Sequence, residues 1–430
     1  MQTCIFISLH ASGYLCVICV LLSTNPFLSL FIFNPYFEIY MKKFIFLLLL
    51  CLCVPGYSVA QSNVSLVDTA TCQRPLLHIS RDVETHMNML FNTGLVADIS
   101  QNGFTQMTAR MNYLKWELKG KIDDDFSFHF RQSLTKSALS ATTDKAVLSV
   151  DYANLSWMVN RKFSLTFGKQ LLCLGGYEFW MSGYKVKEFS LFNDYMNNYG
   201  TGFTAQLRLN DCRSLSFQVV NSKTGDDETF CYGRPEGIEA SKIPLLATVN
   251  YERFSPSREW QLRYSFSLGQ QAAHHGMFYF TSGHVLRRNA LLAYLDINFS
   301  YEGIDHKGLV SQTPVIIDRT PVTARHAYYF STIFNVDYRF SPHWNVFLKG
   351  IYEQGGVASR NAYYMRGTYF HEWQAQLCAE FYPKPKLDLK FYLLTQCRQR
   401  YINHRVIENN ADNWNRQRLV CGVVYAIPVF

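Results

Sequence analysis

The chain has 430 residues, 48% of them hydrophobic and 16% aromatic, yet its mean hydropathy is only −0.07. Those values exclude a bundle of membrane helices, because each helical span needs about 20 consecutive apolar residues. The formal charge of +8 is modest for this length and no nucleic-acid motif accompanies it, so nucleic acid is not an expected partner.

Residues 1–40 are apolar, with Glu38 their single formal charge, and they precede a second possible start at Met41. Residues 41–60 read as a secretory signal peptide. Lys42 and Lys43 form the positive region, Phe44–Val54 the apolar core, and Ser58-Val59-Ala60 the small residues expected before cleavage after Ala60. Residues 1–40 are therefore expected to be a mis-called extension. The alternative is a membrane helix around Ile5–Leu30, interrupted by Pro26. Residues 61–84 form a periplasmic lead-in, and 85–430 the folded domain. The cysteines past the signal peptide are Cys72, Cys173, Cys212, Cys231, Cys378, Cys397 and Cys421. Their number is odd, their spacing is irregular and there is no CxxC, so neither a zinc site nor a disulfide framework is indicated. No cofactor is expected.

The first strand is predicted at Thr85–Leu95 and the second at Phe104–Lys119. The second exposes Met107, Ala109 and Met111, then switches to Leu114, Trp116 and Leu118, which places a bulge near Tyr113. After the polar turn Gly120–Asp125, Phe126, Phe128 and Phe130 alternate with Ser127, His129 and Arg131. Period-two alternation puts one set of side chains on each face of a sheet. The same hairpin then recurs. Val147–Val159 pairs with Lys162–Leu171, Gly200–Leu209 with Ser214–Ser222, and Leu245–Phe254 with Trp260–Gly269. Met277–His284 pairs with Ala290–Tyr301, Tyr328–Phe340 with Trp344–Glu353, and Tyr369–Tyr382 with Leu387–Cys397. Gln417–Phe430 is the last strand.

This makes about sixteen strands. Connections after even-numbered strands are short and polar. Those after odd-numbered strands include Cys173–Tyr199, Lys223–Lys242, Glu302–Arg325 and Arg398–Arg416. A sandwich gives no reason for that alternation, whereas outer-membrane barrels join strands by short periplasmic turns and long outer loops. The fold expected is all-β: a transmembrane antiparallel up-and-down β-barrel of about 16 strands. Trp116, Trp157, Trp260, Trp344, Trp373, Tyr338, Phe340 and Tyr382 sit near predicted strand ends, where interfacial aromatic girdles belong. The terminal strand ends in Phe430, an aromatic suited to the barrel-assembly machinery.

The runs DYANLSWMVNRKFSLTFGKQLLCLGGYEF (Asp151–Phe179), ELKGKIDDDFSFHFRQSL and NFSYEGIDHKGL (Asn298–Leu309), with Phe430, resemble the phosphate-selective porin O and P family of Gram-negative outer-membrane porins. The resemblance implies a sixteen-stranded barrel in the outer membrane, in contact with its lipids and usually trimeric. It implies passive passage of small hydrophilic solutes with a preference for anions such as phosphate. In that family anion selectivity depends on a dense ladder of basic lumen residues. Here the predicted lumen mixes basic residues with Glu117, Asp337, Glu353, Glu380 and Asp388, so strict phosphate selectivity is not expected.

A sixteen-stranded lumen is wide and needs narrowing to select. The third outer loop, Cys173–Tyr199, is the candidate. Folded inward, its Lys185 and Lys187 would meet wall residues Arg110 and Arg131 and favour anions, as rings of Lys and Arg do in pores. The full set of pore-lining candidates is Arg110, Lys115, Arg131, Lys185, Lys187, Arg208 and Arg263. The bland alternative for each is a solvated loop charge or a wall brace paired with a carboxylate. An enzyme is not expected: there is no Gly-x-Ser-x-Gly, P-loop or HExxH, and His274-His275 are adjacent on a loop rim. The second functional reading is a barrel with a plugged lumen acting as a surface adhesion or assembly partner.

Overall fold

The computed structural model describes residues 84–136, 149–174, 176–181, 184–196, 198–222, 233–313, 316–317, 320–361, 363–404 and 412–429. The predicted extension, signal peptide, cleavage point after Ala60 and terminal Phe430 lie outside the described residues.

Sixteen strands form one closed antiparallel barrel. They are β1 (Glu84–Ser100), β2 (Gly103–Lys121), β3 (Phe126–Ser133), β4 (Val150–Asn160), β5 (Phe163–Leu171), β6 (Tyr199–Asn210), β7 (Arg213–Asn221), β8 (Leu245–Phe254), β9 (Trp260–Ala272), β10 (His275–Arg288), β11 (Leu291–Ile304), β14 (Arg325–Tyr338), β15 (Trp344–Val357), β16 (Gly367–Phe381), β17 (Leu389–Ile402) and β18 (Trp414–Pro428). Two-residue strands β12 (Ile316–Ile317) and β13 (Thr320–Pro321) make a separate hairpin. Each barrel strand pairs with its neighbours in sequence, and β1 closes on β18, with Leu90 opposite Ala426. The predicted bulge is present: Asn92 faces Tyr113 and Thr93 faces Met111, leaving Asn112 out of the ladder register, its side-chain amide donating to Asn92 Oδ1 at 3.1 Å.

The expected long–short alternation holds with two exceptions. Connections 101–102 and 273–274 are two-residue turns at the end that otherwise carries the long loops. Tyr382 also departs from its expected place in an interfacial girdle. Its hydroxyl donates to Glu380 at 2.9 Å, because Glu380 faces the lumen and draws the ring inward.

Burial is inverted relative to a soluble protein. On β16, Trp373 and Leu377 are 42% and 49% exposed, whereas Glu372, Gln376 and Glu380 are buried. On β17, Phe391 and Leu393 are exposed and Lys390 and Gln396 buried. Bare apolar faces around a charged interior are stable where the outer solvent is lipid. Closure matters for the same reason, since an open sheet edge would leave backbone groups unsatisfied in hydrocarbon. Leu393→Arg is therefore expected to cost about 2–4 kcal/mol near the bilayer midplane. Urea unfolding in liposomes measures this, and an unchanged midpoint would contradict a lipid-facing β17.

Candidate constriction site

The connection 172–198 leaves β5 and turns into the barrel. It contains two single helical turns, α1 (Tyr177–Trp180) and α2 (Leu191–Asp194). Turns this short are unstable alone, and their first N–H groups have no intrahelical acceptor. Wall carboxylates supply the acceptors. Asp296 on β11 accepts from the Tyr177 and Glu178 N–H groups, both at 2.7 Å. Glu353 on β15 accepts from the Leu191 and Phe192 N–H groups, both at 2.8 Å. The close approach at α1 requires Gly176, since a Cβ there would stand 2.3 Å from the Asp296 carboxyl carbon.

Glu178 joins the two turns from inside. It is fully buried and accepts from Lys349 Nζ at 2.8 Å, Ser190 Oγ at 2.8 Å and Asn193 Nδ2 at 2.7 Å. Lys349 also donates to the Glu188 carbonyl at 2.6 Å. Trp180 covers the wall residue Arg263, whose guanidinium lies 3.8 Å from its ring centre.

The main apolar core consequently lies inside the lumen. Leu174, Phe179 and Phe192 pack against Leu309 and Val310 of the connection 305–324 and against Phe370 of the wall. That second inward segment is latched at its base. Asp305 accepts from the Gly308 and Ser311 N–H groups at 2.9 and 2.8 Å, and from the Tyr329 hydroxyl. Lys307 pairs with Glu302 and is caged by the rings of Phe192, Tyr279 and Tyr329 at 4.6, 4.8 and 4.9 Å. The phrase Asn298–Leu309 thus builds a support for the constriction loop.

In three lumen clusters cations outnumber carboxylates, whereas Arg418 alone faces both Asp98 at 2.7 Å and Glu188 at 3.3 Å. Asp151 faces Lys115 at 2.9 Å, Lys136 at 2.9 Å and Arg131 at 3.2 Å. Glu380 faces Lys390 at 2.7 Å and Lys187 at 3.4 Å. Glu372 faces Arg398 and Arg400, both at 2.7 Å. Within itself the Asp151 cluster keeps a residual positive charge, and the Glu380 cluster keeps one while Lys187 is protonated.

The seven candidate residues are distributed among these features. Lys115 and Arg131 share Asp151, and Arg131 also donates to the Tyr199 hydroxyl. Arg263 is buried, 3.6 Å from Glu252. Arg110 and Arg208 are exposed on the lumen face, Arg110 within electrostatic reach of Asp98. Lys185 is exposed on the inward loop. Lys187 does not meet Arg131. The clamps at Asp296 and Glu353 draw the loop to the wall of β11–β17, so Lys187 reaches Glu380 and the Tyr392 ring, 4.9 Å away. Asp296, Glu353, Glu178 and Lys349, which position the loop, were not among the candidates. Alternation places Asp296 and Glu353 in the lumen but does not reveal what they meet across it.

Burial and the adjacent Lys390 push the Lys187 ammonium from its usual 10.5 down to about 7. The folded chain therefore holds fewer protons than the unfolded chain between about pH 7 and 10.5, and Lys187 makes stability rise with pH across that window. Discharge of Lys187 also removes a lumen cation. Anion preference is expected to decline between about pH 6 and 8, and Lys187→Met to flatten that dependence in reversal-potential measurements.

A closed sixteen-stranded barrel, apolar outside, charged inside and narrowed by its third outer loop, defines an outer-membrane porin. The chain belongs to the phosphate-selective porin O and P family, whose model matches residues 88–427. No curated protein matches it by sequence. Among solved structures it is similar to an anion-selective porin from Comamonas acidovorans, with 7% identity and a TM-score of 0.54 over 80% of this chain and 100% of that one. It is also similar to the outer membrane channel DcaP of Acinetobacter baumannii, with 11% identity and a TM-score of 0.52 over 80% of this chain and 97% of that one. At these identities the likeness is one of fold.

Proposed function

We propose that this porin passes small hydrophilic solutes by passive diffusion, with a modest preference for anions and no strict selectivity for phosphate. The observation that carries this reading is the excess of cations over the carboxylate in the Asp151 cluster, to which the Glu380 cluster adds while Lys187 is protonated. Fixed positive charge in a water-filled lumen favours anions. Pairing to carboxylates keeps the effect modest, and no unbroken basic ladder results. The passage lies beside β2 and β6, where the lumen-facing Gln106, Thr108, Arg110, Gln206 and Arg208 remain exposed. Arg110, Arg208 and Lys185 are the cations that passing solutes meet directly, while Lys115, Arg131, Lys187 and Arg263 act from the wall and the loop anchor.

Family and fold support a channel and lend nothing to the surface-adhesion alternative or to an enzyme. Family membership also supports a homotrimer, and a β18 that closes the barrel suits delivery by the assembly machinery. Reversal potential under a salt gradient tests the anion preference. A value on the anion side, well short of ideal anion selectivity, is expected, and a value on the cation side would overturn the reading.

A further inference from the structure

The inward segments leave part of the outer lumen open. Between them and β17–β18 remains a recess of about 340 Å³. That volume falls within the range of small-ligand sites, about 300–1,000 Å³, and exceeds what one inorganic anion fills.

On the wall side stand Arg398, Arg400 and Arg416, whose guanidiniums lie 5.6, 5.1 and 4.6 Å from the ring of Trp414. Glu372 holds Arg398 and Arg400, which fixes their direction and cancels one of their two charges. Arg416 pairs with no carboxylate among the described residues. On the loop side stands Asp194, the last residue of α2, whose carboxyl is pushed up by burial and the nearby Glu188 and held down in part by Arg398. Asp412 lies at the margin.

The lining is thus electrically balanced, with positive charge on the wall and negative charge on the loop and rim. A dianion such as phosphate gains from the arginines and loses to Asp194 and Asp412. A molecule carrying a carboxylate at one end and an ammonium at the other satisfies both sides, and the Arg fork is matched to carboxylate geometry. We propose that this recess binds short zwitterionic peptides before they enter the pore. The proposal rests on the channel reading and adds a substrate class to it.

The test is block of chloride current by dialanine, using the full chain in planar bilayers. Inorganic phosphate and doubly capped, uncharged dialanine serve as comparisons. Dialanine is expected to block at lower concentration than either. Asp194→Asn should raise its half-blocking concentration about tenfold, equivalent to one lost charge pair, without raising that of phosphate. Arg416→Gln should raise both. Tighter block by phosphate than by dialanine, or an unchanged dialanine block in Asp194→Asn, would overturn the proposal. A conducting channel that dialanine never blocks overturns the proposal alone, whereas a folded chain that does not conduct overturns the channel reading beneath it.

Discussion

Channels carrying both Asp296→Ala and Glu353→Ala are expected to conduct at about twice the wild-type level, with frequent transitions in place of one steady level. The two carboxylates hold the constriction loop by four backbone N–H groups at 2.7–2.8 Å. Hydrogen bonds to charged groups contribute about 1.5–3 kcal/mol each. Four of them total about 6 kcal/mol even at the low end, close to the roughly 5.5 kcal/mol that moves a two-state equilibrium from 1:99 to 99:1. The apolar core shared with Leu309 and Val310 keeps the loop inside the barrel part of the time, so the trace should fluctuate. The wall strands remain paired, and the variant should keep the heat-modifiable migration of a folded barrel. A steady wild-type conductance in the double variant would show that these carboxylates do not set the opening.

The second large effect is on charge selectivity. Lys115, Arg131 and Lys136 surround Asp151, whose side chain is fully buried, so removing the cations alone would strand a buried charge. The informative variant neutralises all four: Lys115→Gln, Arg131→Gln, Lys136→Gln and Asp151→Asn. It removes a net charge of +2 while keeping groups able to hydrogen-bond. At about 10 Å in water each unit charge contributes roughly 0.4 kcal/mol. Two charges shift an anion by about 0.8 kcal/mol and a cation by as much in the opposite sense, which corresponds to about a sixteenfold fall in the anion-to-cation permeability ratio. Asp151→Asn alone should move the ratio the other way, because three cations lose their counterion. Equal reversal potentials in both variants and wild type would place the selecting charges elsewhere.

Much of the barrel was legible in the sequence because lipid imposes a strict period. Trp373 and Leu377 alternate with Glu372, Gln374 and Gln376, and no other solvent suits such a strand. The bulge beside Tyr113 was visible as a switch in that period. The inward turn of the third loop followed from its length and from a lumen too wide to select without narrowing. Its docking did not. Glu353 read as a charge diluting a basic lumen and Asp296 was not singled out, yet both accept backbone N–H groups from residues more than a hundred positions away. Periodicity assigns a side chain to a face; it carries no information about which segment crosses the lumen to meet it. For the same reason Lys187 was expected beside Arg131 and stands beside Glu380. The cage around Lys307 was equally hidden, since Phe192, Tyr279 and Tyr329 come from three separate parts of the chain.

The most direct test of the channel is single-channel recording of the refolded protein in planar bilayers. Long-lived, ohmic steps are predicted, with a reversal potential displaced modestly toward anions. A folded, heat-modifiable barrel that never conducts would contradict the account.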